Sequence, residues 1–131
     1  MSATILHVED NASNRKIVRD LLGRRGYRVV EALDGEEALA AAERERPDAI
    51  LMDVQLPRMS GLEATRQLKA REDLRHIPIV IITSYALSGD DQKAFAAGCD
   101  RYLPKPYSPR ELLRTVEELL GGAARPGGAR D

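Results

Sequence analysis

The sequence predicts an α/β fold in which helices cover both faces of a five-stranded parallel sheet. Short runs rich in Ile, Leu and Val alternate five times with segments of helical spacing, the pattern of strand–helix–strand units with right-handed crossovers. Two of these runs, AILM and IVII, are apolar without alternation, as expected of strands buried on both faces. The length of 131 residues suits one domain, and five such units favour the flavodoxin-like strand order 2-1-3-4-5.

The predicted strands are four short runs, TILHV, RVVE, AILM and IVIIT, and a weaker fifth run, RYL. They span residues 4–8, 28–31, 49–52, 79–83 and 101–103. His7 interrupts the apolar pattern of the first run, and we interpret it as a neutral histidine of the core.

The first two helices are predicted from apolar spacing and from their terminal residues. The second helix begins at DGEE, where Asp34 can cap the helix and Glu37 stands at the capping-box position three residues later. The first helix can end at Gly23 or Gly26. Its apolar face is predicted to consist of Ile17, Val18, Leu21 and Leu22.

A third and a fourth helix are predicted further along the chain. Leu62, Thr65 and Leu68 recur at helical spacing and mark the third helix. Residues 90–97 form the fourth, and Gly98 supplies the left-handed residue that ends it.

The fifth helix has the strongest terminal signal. In SPRE, Ser108 is placed as the N-cap, Pro109 as the first helical residue and Glu111 as the reciprocal capping residue. The Gly-rich segment that follows has almost nothing apolar to bury, so we predict a domain over residues 1–120 and a disordered tail over 121–131. The apolar face of the helix is Leu112, Leu113, Val116, Leu119 and Leu120.

Composition excludes several classes of protein. A formal charge of −1 gives no general attraction to nucleic acid or to anionic membranes. The single cysteine, Cys99, excludes an internal disulfide framework and suits a reducing cytosol. The N-terminus lacks the pattern of a signal peptide, and no segment reaches the roughly 20 apolar residues of a membrane span. We therefore predict a cytoplasmic protein.

Polar side chains stand at the C-terminal ends of four predicted strands. Glu9 and Asp10 follow the first strand, Asp53 follows the third, Thr83 ends the fourth and Lys105 comes after the fifth. In sheets of this order, ligands bind in the crevice beyond these ends, where the first and third strands are neighbours. We therefore predict that three carboxylates meet there with a hydroxyl and an amine.

Three adjacent carboxylates repel one another, and Mg²⁺ would relieve that repulsion. Because Mg²⁺ binds one or two carboxylates together with a phosphate oxygen, the site favours a phosphoryl group, which a lysine and a hydroxyl could bind. No Ser–His or Cys–His pair is evident, so a carboxylate is the candidate nucleophile. Taken singly, Asp53 would suit a turn, and Asp10 or Asn11 a helix cap. Their combination predicts that the central Asp53 is phosphorylated.

Four segments resemble the signatures of response-regulator receiver domains of the CheY-like superfamily. They are ILHVEDN, ILMDVQLPRMSG, IPIVIITSYA and GCDRYLPKPYS, in the family's order and spacing, and the likeness covers about residues 4–120. VEDN, SYALSGD and the absence of an output domain further resemble single-domain regulators of the DivK type.

The resemblance implies a role for each residue of the crevice. Asp53 would accept a phosphoryl group from a phosphohistidine of a histidine kinase or a histidine phosphotransfer protein. Asp10, Asp53 and the backbone carbonyl of Gln55 would bind Mg²⁺, while Glu9 would act mostly through water. The chain would be a signalling domain that promotes its own phosphorylation and dephosphorylation, and not an enzyme.

The resemblance also implies a switch. Thr83 and Lys105 would bind phosphoryl oxygens, and Tyr102 would turn inward as Thr83 moves toward the phosphate. Lys105–Pro106 would be a cis peptide, and Pro57 and Gly61 would shape the loop after Asp53. The face of the fourth helix, fifth strand and fifth helix would bind a downstream protein; no direct DNA or membrane binding is implied, and the chain would be a monomer or a weak dimer.

Three alternatives remain open at this point. A flavodoxin-type FMN binder would share the fold, although the first loop is acidic and aromatic residues are few. A phosphatase with an aspartyl nucleophile would carry Asp-x-Asp after its first strand, whereas DVQ follows the third strand here. The chain could also be the receiver portion of a hybrid histidine kinase or of a multidomain regulator.

Overall fold

The computed structural model describes residues 3–84 and 90–124. These residues form one parallel sheet in the order β2-β1-β3-β4-β5, which confirms the predicted topology. The elements in chain order are β1 (Thr4–Val8), α1 (Ala12–Arg24), β2 (Arg28–Ala32), α2 (Gly35–Glu45), β3 (Ala49–Asp53), α3 (Gly61–Ala70), β4 (Ile79–Thr83), α4 (Asp90–Ala97), β5 (Arg101–Pro104) and α5 (Pro109–Ala124).

The two unalternating apolar runs form the strands β3 and β4, and every residue of both strands is buried. They are apolar throughout because helices pack on both faces of the sheet. β3 extends one residue further than predicted and includes Asp53, which pairs in register with Ile82 of β4. Asp53 is therefore held by the sheet itself at its C-terminal edge.

The helices bury separate apolar layers on the two faces of the sheet. α2, α3 and α4 contribute small residues to one layer, including Ala38, Ala64 and Ala94. α1 and α5 contribute larger residues to the other, including Leu22 and Leu112. The sheet lies between these two layers, and the polar residues that follow its strands lie at its C-terminal edge.

Two capping signals read from the sequence are present at the helix N-termini. At α5, the Glu111 N–H donates to Ser108 Oγ at 3.1 Å and the Ser108 N–H donates to Glu111 Oε1 at 2.8 Å. At α2, the Glu37 N–H donates to Asp34 Oδ1 at 2.9 Å, while the Glu37 carboxylate accepts from the N–H of Leu33 at 2.8 Å. The first pair is a reciprocal capping box, and the second differs from one by a single residue.

The predicted apolar face of α1 needs one correction. Ile17 is 61% exposed, whereas Val18 and Leu22 are buried, because Ile17 lies at the edge of the apolar stripe and not at its centre. Of the two glycines considered as its end, Gly23 lies inside the helix, and Gly26, with a φ of 87°, is the left-handed residue beyond it.

The end of the chain differs from the prediction in one respect. α5 continues to Ala124, past the predicted boundary at residue 120. Residues 125–131, the rest of the predicted tail, lie outside the described residues, as do 1–2 and 85–89. In the part of the chain that is described, no helix is long and apolar enough to cross a membrane.

Candidate phosphorylation site

Two acidic side chains lie side by side at the C-terminal ends of β1 and β3. Val8 pairs in register with Met52, so the residues that follow them, Glu9 and Asp53, reach the same edge. Both carboxylates are almost fully buried, with 4% and 5% of each residue exposed. Burial of two neighbouring carboxylates costs free energy unless cations or hydrogen bonds compensate them.

Lys105 provides part of that compensation. Its Nζ lies 3.0 Å from Asp53 Oδ2 and 3.4 Å from Glu9 Oε1. The backbone N–H of Lys105 donates to the carbonyl of Thr83 at 2.7 Å, which fixes the loop that carries the lysine. The Lys105–Pro106 peptide bond is cis, as the resemblance implies.

Burial and neighbouring charges shift the pKa values of Glu9 and Lys105. Burial raises the pKa of Glu9, the adjacent Asp53 carboxylate raises it further, and Lys105 opposes this only in part. Burial alone would lower the pKa of Lys105, but its hydrogen bond and attraction to Asp53, with a smaller effect of Glu9, outweigh burial and raise it. Two buried carboxylates that share one contacting ammonium group would attract a further cation.

The donor set fits Mg²⁺. Glu9 and Asp53 offer carboxylate oxygens, and Mg²⁺ in proteins commonly takes one or two carboxylates together with water and phosphate oxygens. Asp10 is exposed and has no hydrogen bond or ion pair with the other described residues, and Asn11 caps α1 in its place. Within residues 3–84 and 90–124, no three Asp, Glu, His or Cys side chains are arranged as a metal site. Of the three predicted carboxylates, Glu9 and Asp53 both contact Lys105.

Thr83 and Tyr102 line one cavity of about 170 Å³. Thr83 is buried at the end of β4, and Tyr102 is half-buried on β5, in register with Ile81. The cavity leaves space for either side chain to change position. Its other lining residues are Val54, Leu62, Ile81, Lys93 and Ala94.

The loop after Asp53 is bound closely to the end of β3. The Gln55 N–H donates to Asp53 Oδ1 at 2.8 Å, and the Gly61 N–H donates to the carbonyl of Val54 at 3.0 Å. A Cβ atom on Gly61 would lie 2.0 Å from the carbonyl oxygen of Asp53. Only glycine permits this approach, which gives the physical reason for Gly61 in the predicted loop.

Comparison with known proteins identifies the family. Residues 5–117 match the response regulator receiver domain family. The chain belongs to this family. Curated relatives of the receiver domain include the polar-differentiation response regulators DivK of Brucella anthropi and Brucella ovis. Each is 43% identical over 123 residues, which cover 94% of this chain and 100% of the relative.

Solved structures of similar chains are also receiver domains. The receiver domain of the sensor histidine kinase PA1611 from Pseudomonas aeruginosa is 42% identical, with a TM-score of 0.85 and coverage of 92% of this chain and 99% of that one. It has a magnesium ion coordinated in its active-site cleft. Vibrio cholerae CheY4 is 35% identical, with a TM-score of 0.86 and coverage of 92% and 100%. The family found is therefore neither that of the flavodoxin-type FMN binders nor that of the aspartyl phosphatases considered above.

A groove beside Lys105 was not predicted from the sequence of the receiver domain. Its volume is about 480 Å³, and the exposed Ile17 of α1 contributes an apolar wall. The signal in the sequence was the position of Ile17 at the edge of the apolar stripe of α1. The groove is lined by Asn14, Ile17, Val18, Ser84, Lys105, Pro106 and Tyr107.

His7 of the receiver domain lies in the core beneath the site, as predicted. It is 2% exposed, and its Nδ1 has no hydrogen-bond partner among the described residues. Burial lowers its pKa from 6.5 to about 4; Asp53 opposes this change, and Lys105 and Arg15 add to it. The imidazole is therefore neutral near neutral pH.

We expect His7 to make the folded receiver domain less stable in acid. Because its folded pKa of about 4 lies below the unfolded value of 6.5, the folded state binds fewer protons. Above pH 6.5, the titration of His7 does not reduce the free energy of unfolding. As the pH falls from 6.5 toward 4, the unfolded state takes up a proton that the folded state does not, and the free energy of unfolding decreases. Between about pH 7.5 and about pH 5, wild type should lose about 2 kcal/mol more than His7→Leu in its free energy of unfolding.

Urea unfolding in metal-free buffer measures this difference. His76→Gln is the matched control, because His76 is exposed and its replacement should leave the pH profile of wild type unchanged. Equal losses of stability in wild type and in His7→Leu would contradict the prediction.

Proposed function

We propose that Asp53 is the phosphoacceptor of this receiver domain and that a phosphohistidine of a histidine kinase or a histidine phosphotransfer protein supplies the phosphoryl group. The observation that carries the proposal is the contact of Lys105 Nζ with both Asp53 and Glu9 at the C-terminal edge of the sheet. A buried carboxylate beside an ammonium group at this edge is the arrangement that phosphoryl transfer to a carboxylate needs.

The transfer forms one bond and breaks one. A carboxylate oxygen of Asp53 attacks the phosphorus atom, the P–O bond forms, and the P–N bond to the donor imidazole breaks; the imidazole then takes a proton from solvent. Lys105 binds one oxygen of the transferred group and the Thr83 hydroxyl donates to another. Water later hydrolyses the acyl phosphate. The residues of the site promote both the phosphorylation and this dephosphorylation, and the chain acts as a signalling domain.

The proposed ligands of Mg²⁺ are Asp10, Asp53 and the backbone carbonyl of Gln55, with Glu9 acting through water. When bound, Mg²⁺ would neutralise part of the charge on the phosphoryl oxygens. Support comes from the adjacent buried carboxylates of Glu9 and Asp53 and from the magnesium ion of the PA1611 receiver domain.

Phosphorylation would change the face formed by α4, β5 and α5. Thr83 moves toward the phosphoryl group and Tyr102 turns into the shared cavity, which supplies the necessary space. Phe95 of α4 is 50% exposed and offers an apolar contact to a downstream protein in the cytoplasm.

The phosphohistidine donor would approach from the groove beside Lys105, where Ile17 is exposed. The domain acts as a monomer or a weak dimer and does not bind DNA directly.

A stand-alone regulator is the proposed form, because the match covers the whole length of the DivK relatives. The second candidate is the receiver portion of a hybrid histidine kinase, which the 42% identity to the PA1611 receiver domain favours. The intact mass of the protein isolated from its own cells would distinguish them, because a hybrid kinase is much larger than the DivK relatives.

Intact-mass analysis after treatment with acetyl phosphate tests the proposed function. We expect a gain of one phosphoryl group that requires Mg²⁺ and disappears when EDTA is present. No gain in mass under these conditions would refute the proposal.

Replacing Lys105 by alanine should separate phosphorylation from the gain in partner affinity that phosphorylation causes. The fold is expected to remain intact, because Lys105 contributes to neither apolar layer of the core, while the phosphorylated variant no longer gains affinity for a phosphorylation-dependent partner. The measurement is the affinity of that partner for phosphorylated wild type and for phosphorylated Lys105→Ala. Equal affinities would count against a coupling role of Lys105.

A further inference from the structure

The loop of residues 54–60 joins the proposed phosphoacceptor to α3, and its two ends are well fixed. The Val54 N–H donates to the carbonyl of Ile82 at 2.9 Å, and the Gly61 N–H donates to the carbonyl of Val54 at 3.0 Å. Among the described residues, the one side-chain hydrogen bond between residues 56–59 and the rest of the chain runs from Arg58 to Asp34. This pair is therefore the polar side-chain contact between the middle of the loop and the N-terminus of α2.

Asp34 is well suited to hold the loop. It is 1% exposed and caps α2. Its two oxygens have separate partners: Oδ1 accepts from the Glu37 N–H at 2.9 Å, and Oδ2 pairs with the Arg58 guanidinium. The hydrogen bond from the Glu37 backbone, assisted by Arg58, holds the pKa of Asp34 below its usual range. Removing Arg58 would therefore leave the cap of α2 in place.

Arg58 occupies an unfavourable backbone conformation to make this contact. Its φ is 64°, in the left-handed region that residues with side chains seldom adopt. Glycine would occupy this position without strain. The presence of an arginine indicates that its side chain has a use that outweighs the backbone cost.

The loop also packs against α2 beside the pair. A Cβ atom on Gly35 would lie 2.8 Å from Met59 Cβ and 2.9 Å from the Met59 carbonyl oxygen. The loop therefore lies directly on the first turn of α2. α2 is fixed in turn by the buried side chains of Ala38 and Ala42.

We propose that Arg58 is a positioning residue for phosphorylation: through the buried Asp34 carboxylate it holds the loop so that the Gln55 backbone and Asp53 keep the geometry of the reactive site. The inference rests on the proposed function of Asp53. Gln55 is the link, because its N–H binds Asp53 Oδ1 at 2.8 Å and it stands three residues before Arg58 in the same loop.

Rates of phosphorylation by acetyl phosphate and Mg²⁺, followed by intact mass, test the inference. Arg58→Gln is expected to lower the initial rate roughly tenfold, since small displacements of reacting groups have effects of this order or larger. The control is Arg66→Gln, because Arg66 forms an exposed pair with Glu63 on α3; its rate should equal that of wild type. NMR of the metal-free protein should show a displaced Gln55 amide resonance in Arg58→Gln only.

A second variant separates positioning from stability. Arg58→Gly removes the pair but relieves the backbone, so its urea midpoint should not fall below that of wild type, while its rate falls as in Arg58→Gln. In the D34N background, where asparagine can still cap α2, Arg58→Gln should change the rate less than about twofold.

The outcomes distinguish the inference from the proposed function. A wild-type rate in Arg58→Gln, or effects of Asp34→Asn and Arg58→Gln that multiply, would overturn the positioning role alone. A fall in the urea midpoint of Arg58→Gly together with its rate would also overturn it, in favour of a purely structural role. A wild-type protein that gains no phosphoryl group would overturn the proposed function and this inference with it.

Discussion

Replacing Asp53 by asparagine is expected to abolish phosphorylation by acetyl phosphate in the presence of Mg²⁺. The amide of asparagine has almost the shape of the carboxylate but lacks the nucleophilic oxygen that would form the proposed acyl phosphate. We expect Asp53→Asn to remain folded, because the lost contact with Lys105 at 3.0 Å is offset by the loss of repulsion from Glu9. Intact mass after treatment measures the result, and thermal unfolding confirms the fold.

Asp20→Asn is the matched control for this experiment. Asp20 lies on the exposed surface of α1 and pairs with Lys16 at 2.8 Å, so its replacement should leave phosphorylation at the wild-type level. A phosphoryl group on both variants would place the acceptor at another residue. A phosphoryl group on Asp53→Asn alone would exclude Asp53 as the acceptor.

Replacing Gly61 by alanine is expected to lower the free energy of unfolding by about 3 kcal/mol, the upper part of the usual range for overpacked sites. The new Cβ would lie 2.0 Å from the carbonyl oxygen of Asp53 and 3.0 Å from Met52 Cγ. Both belong to the buried strand β3, which cannot move without disturbing its neighbours. α3 and the loop must therefore shift away from the site, so the phosphorylation rate should fall as well.

Gly23→Ala is the control, because it makes the same glycine-to-alanine change at a position with space for the new Cβ atom. Gly23 lies in α1, and a Cβ there would meet nothing within 4 Å. Alanine should stabilise the helix by roughly 0.5–1 kcal/mol, because it loses less backbone entropy than glycine. Urea unfolding measures both variants, and a Gly61→Ala protein as stable as wild type would contradict the close approach to Asp53.

The topology and the meeting of Glu9, Asp53 and Lys105 at one edge of the sheet could be predicted because both follow from local patterns. Unalternating runs such as AILM identify buried parallel strands, and the alternation of strands and helices fixes their order within narrow limits. Once the order is known, the residue after each strand is placed at one edge of the sheet. Glu9, Asp53 and Lys105 were brought together in this way, and the structure gives their contacts at 3.0 and 3.4 Å.

The sequence by itself determined the family, the strand order and the residue types at the edge of the sheet, because these depend on patterns within a few residues. Only the tertiary structure decided which side chains turn inward. Asp10 and Ile17 face solvent, whereas Glu9 is buried against Lys105. The pair of Asp34 and Arg58 likewise joins residues far apart in sequence. Such contacts depend on how helices and loops pack against the sheet, and no local pattern encodes that packing.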